Sequence, residues 1–416
     1  MISLLPLLTF IIIYLGISIV MGDFYKVPIT VAFLISSIVS IATLRGKPLT
    51  NRIKIFSKGA SSENMMLLIW IFILAGAFSS SAKAMGSIDN TVNLALQFLP
   101  ANMIMAGIFL AACFVSLSIG TSVGTVAALV PIATGIANAT GTNIALMVGI
   151  IVGGALFGDN LSFISDTTVV ATQTQKCKMS DKFHANLAIV LPAAICVFVL
   201  YAFIGQSMKL PEENIKSEYI KVLPYLIVLI TAVCGTNVII VLTLGILLTG
   251  VIGILTGSFD IFGFMHAMHE GILNMSELII VTILAGGMLE VVRINGGIQL
   301  IIDRITRHVH GRKGGETAIA MIVMLVDFCT ANNTIAIITV GPIAYQIAER
   351  FNIEPKRSAS ILDTFSCFAQ GIIPYGAQLL MAGGLAAIAP VSIIPYLFYP
   401  FVLGTVAIFA IILKKR

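Results

Sequence analysis

Residues 158–168 read Gly-Asp-Asn-Leu-Ser-Phe-Ile-Ser-Asp-Thr-Thr, between the apolar runs 143–157 and 169–171. Polar and acidic side chains packed this densely between hydrophobic arms are costly at membrane depth unless they face a cavity or an ion, so the stretch marks a site. Two carboxylates, Asp159 and Asp166, stand in it with Asn160, Ser162 and Ser165. The rest of the chain reads as the frame that holds this loop in the bilayer.

Composition makes the bilayer the solvent. Of the 416 residues 58% are hydrophobic and only 10% charged, and the mean hydropathy is +1.04; a soluble globular domain has neither. The six cysteines are scattered singly, without a Cys-x-x-Cys spacing, and read as small core hydrophobes. The formal charge of +5 sits in loops, so it speaks for membrane orientation rather than nucleic acid. Residues 1–20 are apolar, with no basic start and no clear cleavage site, and are expected to form a first spanning helix.

Further spans are expected at roughly 27–44, 64–80 and 185–205, from the ~20 residues needed to cross hydrocarbon. Residues 103–137 differ. Two short apolar arms flank a polar tip, 118–125, containing Ser118, Thr121 and Ser122. This is the pattern of a re-entrant hairpin, tolerated where its tip lines a cavity. A span broken by the 158–168 loop follows.

The second half repeats the first. A shift of 210 places Ile73-Leu74-Ala75-Gly76 on Ile283-Leu284-Ala285-Gly286, and Gly86 on Gly296. A shift of 211 places Pro131 on Pro342, the first tip on residues 329–334 with Asn332 and Asn333, and the 158–168 loop on 369–379. The expected fold is therefore an all-α polytopic membrane protein of about ten transmembrane helices, with two re-entrant hairpins and two broken helices. It divides into two inverted repeats, 1–210 and 211–416. Interrupted segments in corresponding places point to a transporter's binding site at the repeat interface.

Charge placement agrees. With the N-terminus cytoplasmic, 19 of the 24 basic residues fall in cytoplasmic loops, among them Lys176, Lys178 and Lys182. Five crossings per half is an odd number, which inverts the second repeat and puts both termini in the cytoplasm. The membrane expected is the cytoplasmic (inner) one.

Four acidic residues at depth are candidate ligands: Asp159, Asp166, Asp327 just before the second tip, and Asp363 in the second broken span. None has a basic residue close by in sequence. Glu290 has Arg293 three positions on, so a rim ion pair is the reading there. Oxygens of a buried carboxylate hold a proton or a hard cation, and the two compete. Hydroxyls of Ser118, Thr121, Ser122, Ser162 and Ser165, amides of Asn160, Asn332 and Asn333, and carbonyls freed by the broken helices suit the shell of a cation such as sodium. Helix N-termini at the tips would equally suit a carboxylate.

Residues Gly158-Asp159-Asn160-Leu161-Ser162-Phe163-Ile164-Ser165-Asp166-Thr167-Thr168 resemble the Gly-Asp-x-x-Ser-Pro-x-Ser-Asp-Thr signature of the NhaC-type sodium/proton antiporters, part of the ion transporter superfamily. The similarity extends to Gly120-Thr121-Ser122-Val123-Gly124-Thr125 and, in outline, over most of the chain from about Asn64. It implies sodium/proton exchange with Asp159 and Asp166 as sodium ligands. Two departures are Phe163, where the family has proline, and Pro374-Tyr375-Gly376, where many members have Pro-Trp-Asn. Some relatives exchange malate for lactate, so sodium- or proton-coupled transport of a small organic acid or amino acid is the alternative.

Other classes fit less well. An intramembrane aspartyl protease needs Gly-x-Gly-Asp, and this chain has Leu156-Phe157-Gly158-Asp159. No potassium-type filter is present. His266, His269 and Glu270 run in the wrong order for a zinc hydrolase and read as membrane rim. The expectation is a transporter and not an enzyme, with no cofactor beyond Na+ and H+ as transported ions. Its partners are the lipid bilayer, a small cation and, on the alternative reading, a carboxylate or amino-acid solute. Nucleic acid is not expected; a homodimer is left open.

Overall fold

A computed structural model describes residues 2–17, 28–98, 100–162, 165–208, 218–234, 236–306 and 309–413. Among these the structure is all-helical, with no strand. In the first half α1 (Leu5–Phe10) runs on into a π-helical turn, Ile11–Gly16. It is followed by α2 (Ile29–Thr43), α3 (Leu49–Ala60), α4 (Glu63–Met85), α5 (Ser87–Phe98), α6 (Ile104–Ile119), α7 (Ser122–Thr140), α8 (Ile144–Leu161), α9 (Asp166–Gln175) and α10 (Met179–Ile204). The second half has α11 (Tyr219–Val233), α12 (Val238–Leu255), α13 (Ile261–Asn274), α14 (Ser276–Ile294), α15 (Gly297–Thr306), α16 (Gly311–Thr330), α17 (Asn333–Arg350), α18 (Pro355–Ile372), α19 (Ala377–Ala386), α20 (Pro390–Ile393) and α21 (Phe398–Ile412).

Six helical segments of the described residues are long and apolar enough to cross a membrane, or seven if Pro355–Ala386 and Pro390–Tyr396, bent by 99°, count as one. Five shorter apolar helices of 10–17 residues complete the bundle. The sequence count of about ten included four of these; the fifth, Ala101–Leu117, is an arm of the expected first re-entrant hairpin. Over the described residues, at about 1.5 Å per residue, all five are shorter than a ~30 Å core.

Helix bounds recur along the chain. Ends at Ile119 and Thr330, and starts at Ser122 and Asn333, lie 211 positions apart, as do both bounds of α8 and α18 and both bounds of α9 and α19. Pro131 and Pro342 both sit inside their helices. The α6–α7 turn passes through Gly120 at φ +75°, a left-handed residue that glycine adopts without strain. Its counterpart is Ala331 at φ +49°, where a Cβ costs roughly 1–2 kcal/mol.

The broken helices form the middle of the bundle: α8 is buried without interruption from Met147 to Leu161, and α18 from Arg357 to Cys367. Each break has a local cause. Ser162 turns to extended backbone after α8, and Ser165 caps α9 by accepting from Thr168 N. After α18, Pro374 has no N–H to continue the helix and holds Ile373 extended.

Helix pairs cross between the halves at glycines. A Cβ on Gly59 of α3 would strike the Gly286 carbonyl of α14, and one on Gly271 of α13 would strike the Gly76 carbonyl of α4. Small residues let membrane helices approach this closely.

Candidate ion site

The tip between α6 and α7, the tip between α16 and α17, and both helix breaks meet around a cavity of about 110 Å³. Its lining includes Thr121, Ser122, Asp159, Ser165, Asp166 and Thr167 from the first half. The second half contributes Ala331, Asn332, Asn333, Thr334, Gln370 and Gln378. Among the described residues that line it there are two carboxylates and no Lys, Arg or His.

Asp159, 5% exposed, faces the start of α7. Its Oδ1 accepts from Ser122 N at 3.0 Å and its Oδ2 from Ser122 Oγ at 2.5 Å. The carboxylate thus satisfies two donors at a helix N-terminus, where a negative charge is favoured. Ser122 Oγ also accepts from Gln378 Nε2 at 2.9 Å. Gln370 Nε2 donates to Gln378 Oε1 at 2.7 Å and to the Ala331 carbonyl at 3.3 Å. One hydrogen-bonded chain therefore runs from Asp159 in the first break to Ala331 in the second tip, and Gln370 stands 211 positions after Asp159.

Seven of the twelve residues singled out from sequence line this cavity: Asp159, Asp166, Ser165, Thr121, Ser122, Asn332 and Asn333. Asp166 does so from an exposed position at the first residue of α9. Asn332 and Asn333 accept from the N–H groups of Ile335 and Thr334 at the start of α17. Four do not line it. Ser162 donates to the Leu117 carbonyl at 3.1 Å, tying the break to α6. Asn160 donates to Leu156 O in its own helix. Asp327 is fully buried and lies outside the lining of the cavity. The Ser118 side chain and Phe163 lie outside the described residues.

Asp363 corrects the sequence reading. Its basic partner is Lys182, which is not a loop residue but belongs to the first turn of α10 and is 1% exposed. The pair closes at 2.8 Å. Lys182 Nζ also donates to Thr168 Oγ1 at 2.6 Å and to the Asn160 carbonyl at 2.9 Å, while Asn186 Nδ2 reaches Asp363 Oδ2 at 2.7 Å and the same carbonyl at 2.8 Å. The carbonyls freed by the first break, expected to face a cation, are thus engaged by protein donors, Asp159 O by the hydroxyls of Ser165 and Thr167.

Sequence reasoning passed over Lys182, Asn186, Gln370 and Gln378. A signal for the first two was present: 182, 186, 189, 190, 193, 197 and 201 form one helical stripe, all buried. The Glu290–Arg293 pair forms as expected, at 2.7 Å, and His266 pairs with Glu270 on an exposed face.

The model of the Na+/H+ antiporter family matches residues 1–206 and 215–414. The chain belongs to this family. Among its relatives, the Na+/H+ antiporter NhaC of Bacillus subtilis (strain 168) is 23% identical over 390 residues, covering 85% of this chain and 84% of the relative. The NhaC antiporter of Alkalihalophilus pseudofirmus is 22% identical, with 80% and 79% covered. The malate-2H+/Na+-lactate antiporter of B. subtilis is also 22% identical, with 82% and 80% covered. The crystal structure of the Alcanivorax borkumensis YdaH transporter aligns over 86% of each chain with 11% identity and a TM-score of 0.44. Family membership and apolar helices make this an integral membrane protein of a transporter family.

Proposed function

We infer that the protein exchanges sodium for protons across the cytoplasmic membrane, as its NhaC relatives are named to do. The observation that carries this is the cavity's charge: two carboxylates and no base among the described residues that line it. Such a lining attracts a cation, and Asp159 is the side chain at which sodium and a proton compete. The hydroxyls of Thr121 and Ser122 and the amides of Asn332 and Asn333 are the neutral oxygens that complement it, with Asp166 at the exposed edge. The two halves act as inverted repeats, each supplying one tip and one broken helix, and alternating access follows when they rock about the shared cavity. Both chain termini face the cytoplasm in this arrangement.

A specific observation favours a second reading. Four helices, α7, α9, α17 and α19, begin at the cavity with Ser122, Asp166, Asn333 and Ala377, and helix N-termini favour anions. Together with the malate/lactate relative, this supports carriage of a small carboxylate with sodium or protons.

Everted vesicles separate the two. A proton gradient is imposed, and sodium or lithium chloride is added alone, then with malate, lactate or an amino acid. Dissipation by sodium or lithium alone supports the exchange; a response that requires the organic solute overturns it in favour of the second reading.

A further inference from the structure

The bundle holds a second, larger cavity, of about 570 Å³. Its polar lining comes from the last turns of α4, with Ser79, Ser80 and Lys83, and from the α13–α14 junction, with Asn274 and Glu277. A third cavity, of about 20 Å³, has room for about one water. It shares Leu68, Ala331 and Ala377 with the ion cavity and Leu380 with the large one, so the three lie in a row. Helix α19 runs along that row: Ala377 and Gln378 face the ion cavity, Leu380 the small and the large one, and Gly384 the large one alone.

The two ends of the row differ in charge. Among the described residues that line the large cavity, one acid, Glu277, is balanced by one base, Lys83, whereas the ion cavity has two carboxylates and no base. A wide, charge-balanced, polar space suits a hydrated cation in transit, because conduction needs entry without tight capture. Between the ends the wall is apolar. Leu380 is 2% and Leu278 of α14 6% exposed, and a Cβ on Gly384 would come within 2.6 Å of Leu278 Cδ1, so Leu278 lies against α19 one turn past Leu380. An apolar constriction of this kind stops an ion, which would have to shed its water to pass.

The large cavity extends to Ala389 and Pro390 at the start of α20. The turn that follows α20 ends at Tyr396, whose hydroxyl accepts from Asn143 Nδ2 at the start of α8 at 3.1 Å. The cavity is therefore at the membrane face where α8 begins, the outer face when both termini are cytoplasmic.

We propose that the large cavity is the outer antechamber through which hydrated sodium reaches the ion site, and that Leu380, with Leu278 beside it, is the gate between them. This rests on the ion site and the alternating access proposed above.

The test has two arms, both on the full chain. In the first, the six native cysteines are replaced and single cysteines are probed with a charged, membrane-impermeant thiol reagent. Ser80→Cys reacts from outside in intact cells. Ala377→Cys, beyond the gate, reacts slowly from outside; adding Leu380→Ala speeds this roughly tenfold by removing the constriction, and leaves its rate in everted vesicles unchanged. A general loosening of the fold would raise both rates. Leu380→Met, which keeps the volume, restores slow labelling. In the second arm the native cysteines stay. Leu380→Ala lets an imposed proton gradient decay several-fold faster without sodium, since a path without its outer gate stands open at both ends whenever the site turns inward; Leu380→Met does not. Ser80→Cys unreactive from outside overturns the antechamber, and labelling of Ala377→Cys that Leu380→Ala leaves unchanged, or raises equally from both sides, overturns the gate. A sodium-free decay in Leu380→Ala no faster than in wild type does the same. A wild type that moves no sodium is a different failure: it overturns the exchange, while the labelling arm still decides whether Leu380 closes the path.

Discussion

Gln378 donates a hydrogen bond to Ser122 Oγ at 2.9 Å although 256 positions separate them. The serine hydroxyl in turn donates a hydrogen bond to Asp159 Oδ2, so the second helix break orients the carboxylate of the first. Removing either link leaves Asp159 in place but less well aimed. Ser122→Ala and Gln378→Leu are each expected to raise the sodium concentration for half-maximal exchange about tenfold, the usual effect of losing a group that orients a ligand. The measurement is sodium-dependent dequenching of a pH dye in everted vesicles. A change in maximal rate alone would show that the chain of hydrogen bonds does not serve binding.

Asp159→Asn keeps the shape of the side chain but removes its charge and replaces one acceptor oxygen by a donor. A hydrogen bond or ligand contact to a charged group contributes about 1.5–3 kcal/mol, so sodium affinity is expected to fall roughly 10- to 100-fold, with little change in thermal stability. Asp166→Asn, at the exposed end of the cavity, should fall by much less. Equal losses in the two variants would reverse the order assigned to them.

Gly158 tests the packing that carries the loop. A Cβ there would run into the side chain and backbone of Ser116 on α6, and neither can withdraw because Ser116 Oγ is bonded to the Ala155 carbonyl at 2.5 Å. Gly158→Ala should cost about 1–3 kcal/mol, as overpacking does, seen as a lower melting temperature in detergent. Wild-type stability would mean that α6 and α8 can separate freely.

Some of this was written locally and some was not. The break at 158–168 was legible because a helix cannot run through Ser162 and restart at a Ser165 cap without leaving polar residues in apolar sequence. The second break was legible from Pro374 and its spacing. The partners of Asp363 were not, because Lys182 stands among Lys176, Lys178 and Asp181 and looks like loop charge. Only its place on the buried stripe of α10 distinguishes it. The Ser122–Gln378 bond joins residues too far apart for any local pattern to reveal.

Glu316 on α16 holds Arg357 of α18 through Nε and Nη2 at 3.1 and 2.9 Å, and both side chains are buried. Arg312 approaches the other oxygen at 3.5 Å. Glu316→Ala strands a buried guanidinium and should cost about 3–5 kcal/mol, whereas replacing both members by Met should be nearly neutral. Thermal denaturation of the purified single and double variants checks this. A single variant as stable as wild type would place Arg357 in contact with water.

Asn143 and Glu354 are the exposed N-cap residues of α8 and α18, and they stand 211 positions apart. If the halves are inverted repeats, these two equivalent positions must face opposite sides of the membrane, because an odd number of crossings separates each repeat's start from its end. In a chain whose six native cysteines are replaced, Asn143→Cys and Glu354→Cys are each probed with a membrane-impermeant maleimide in intact cells and in everted vesicles. Asn143→Cys should react from outside and Glu354→Cys from inside, since Lys356 and Arg357 follow the second site and basic residues favour the cytoplasm. Labelling of both from one side would make the repeats parallel. Rocking about an in-plane axis would then have no structural basis, even with the cavity and its carboxylates intact.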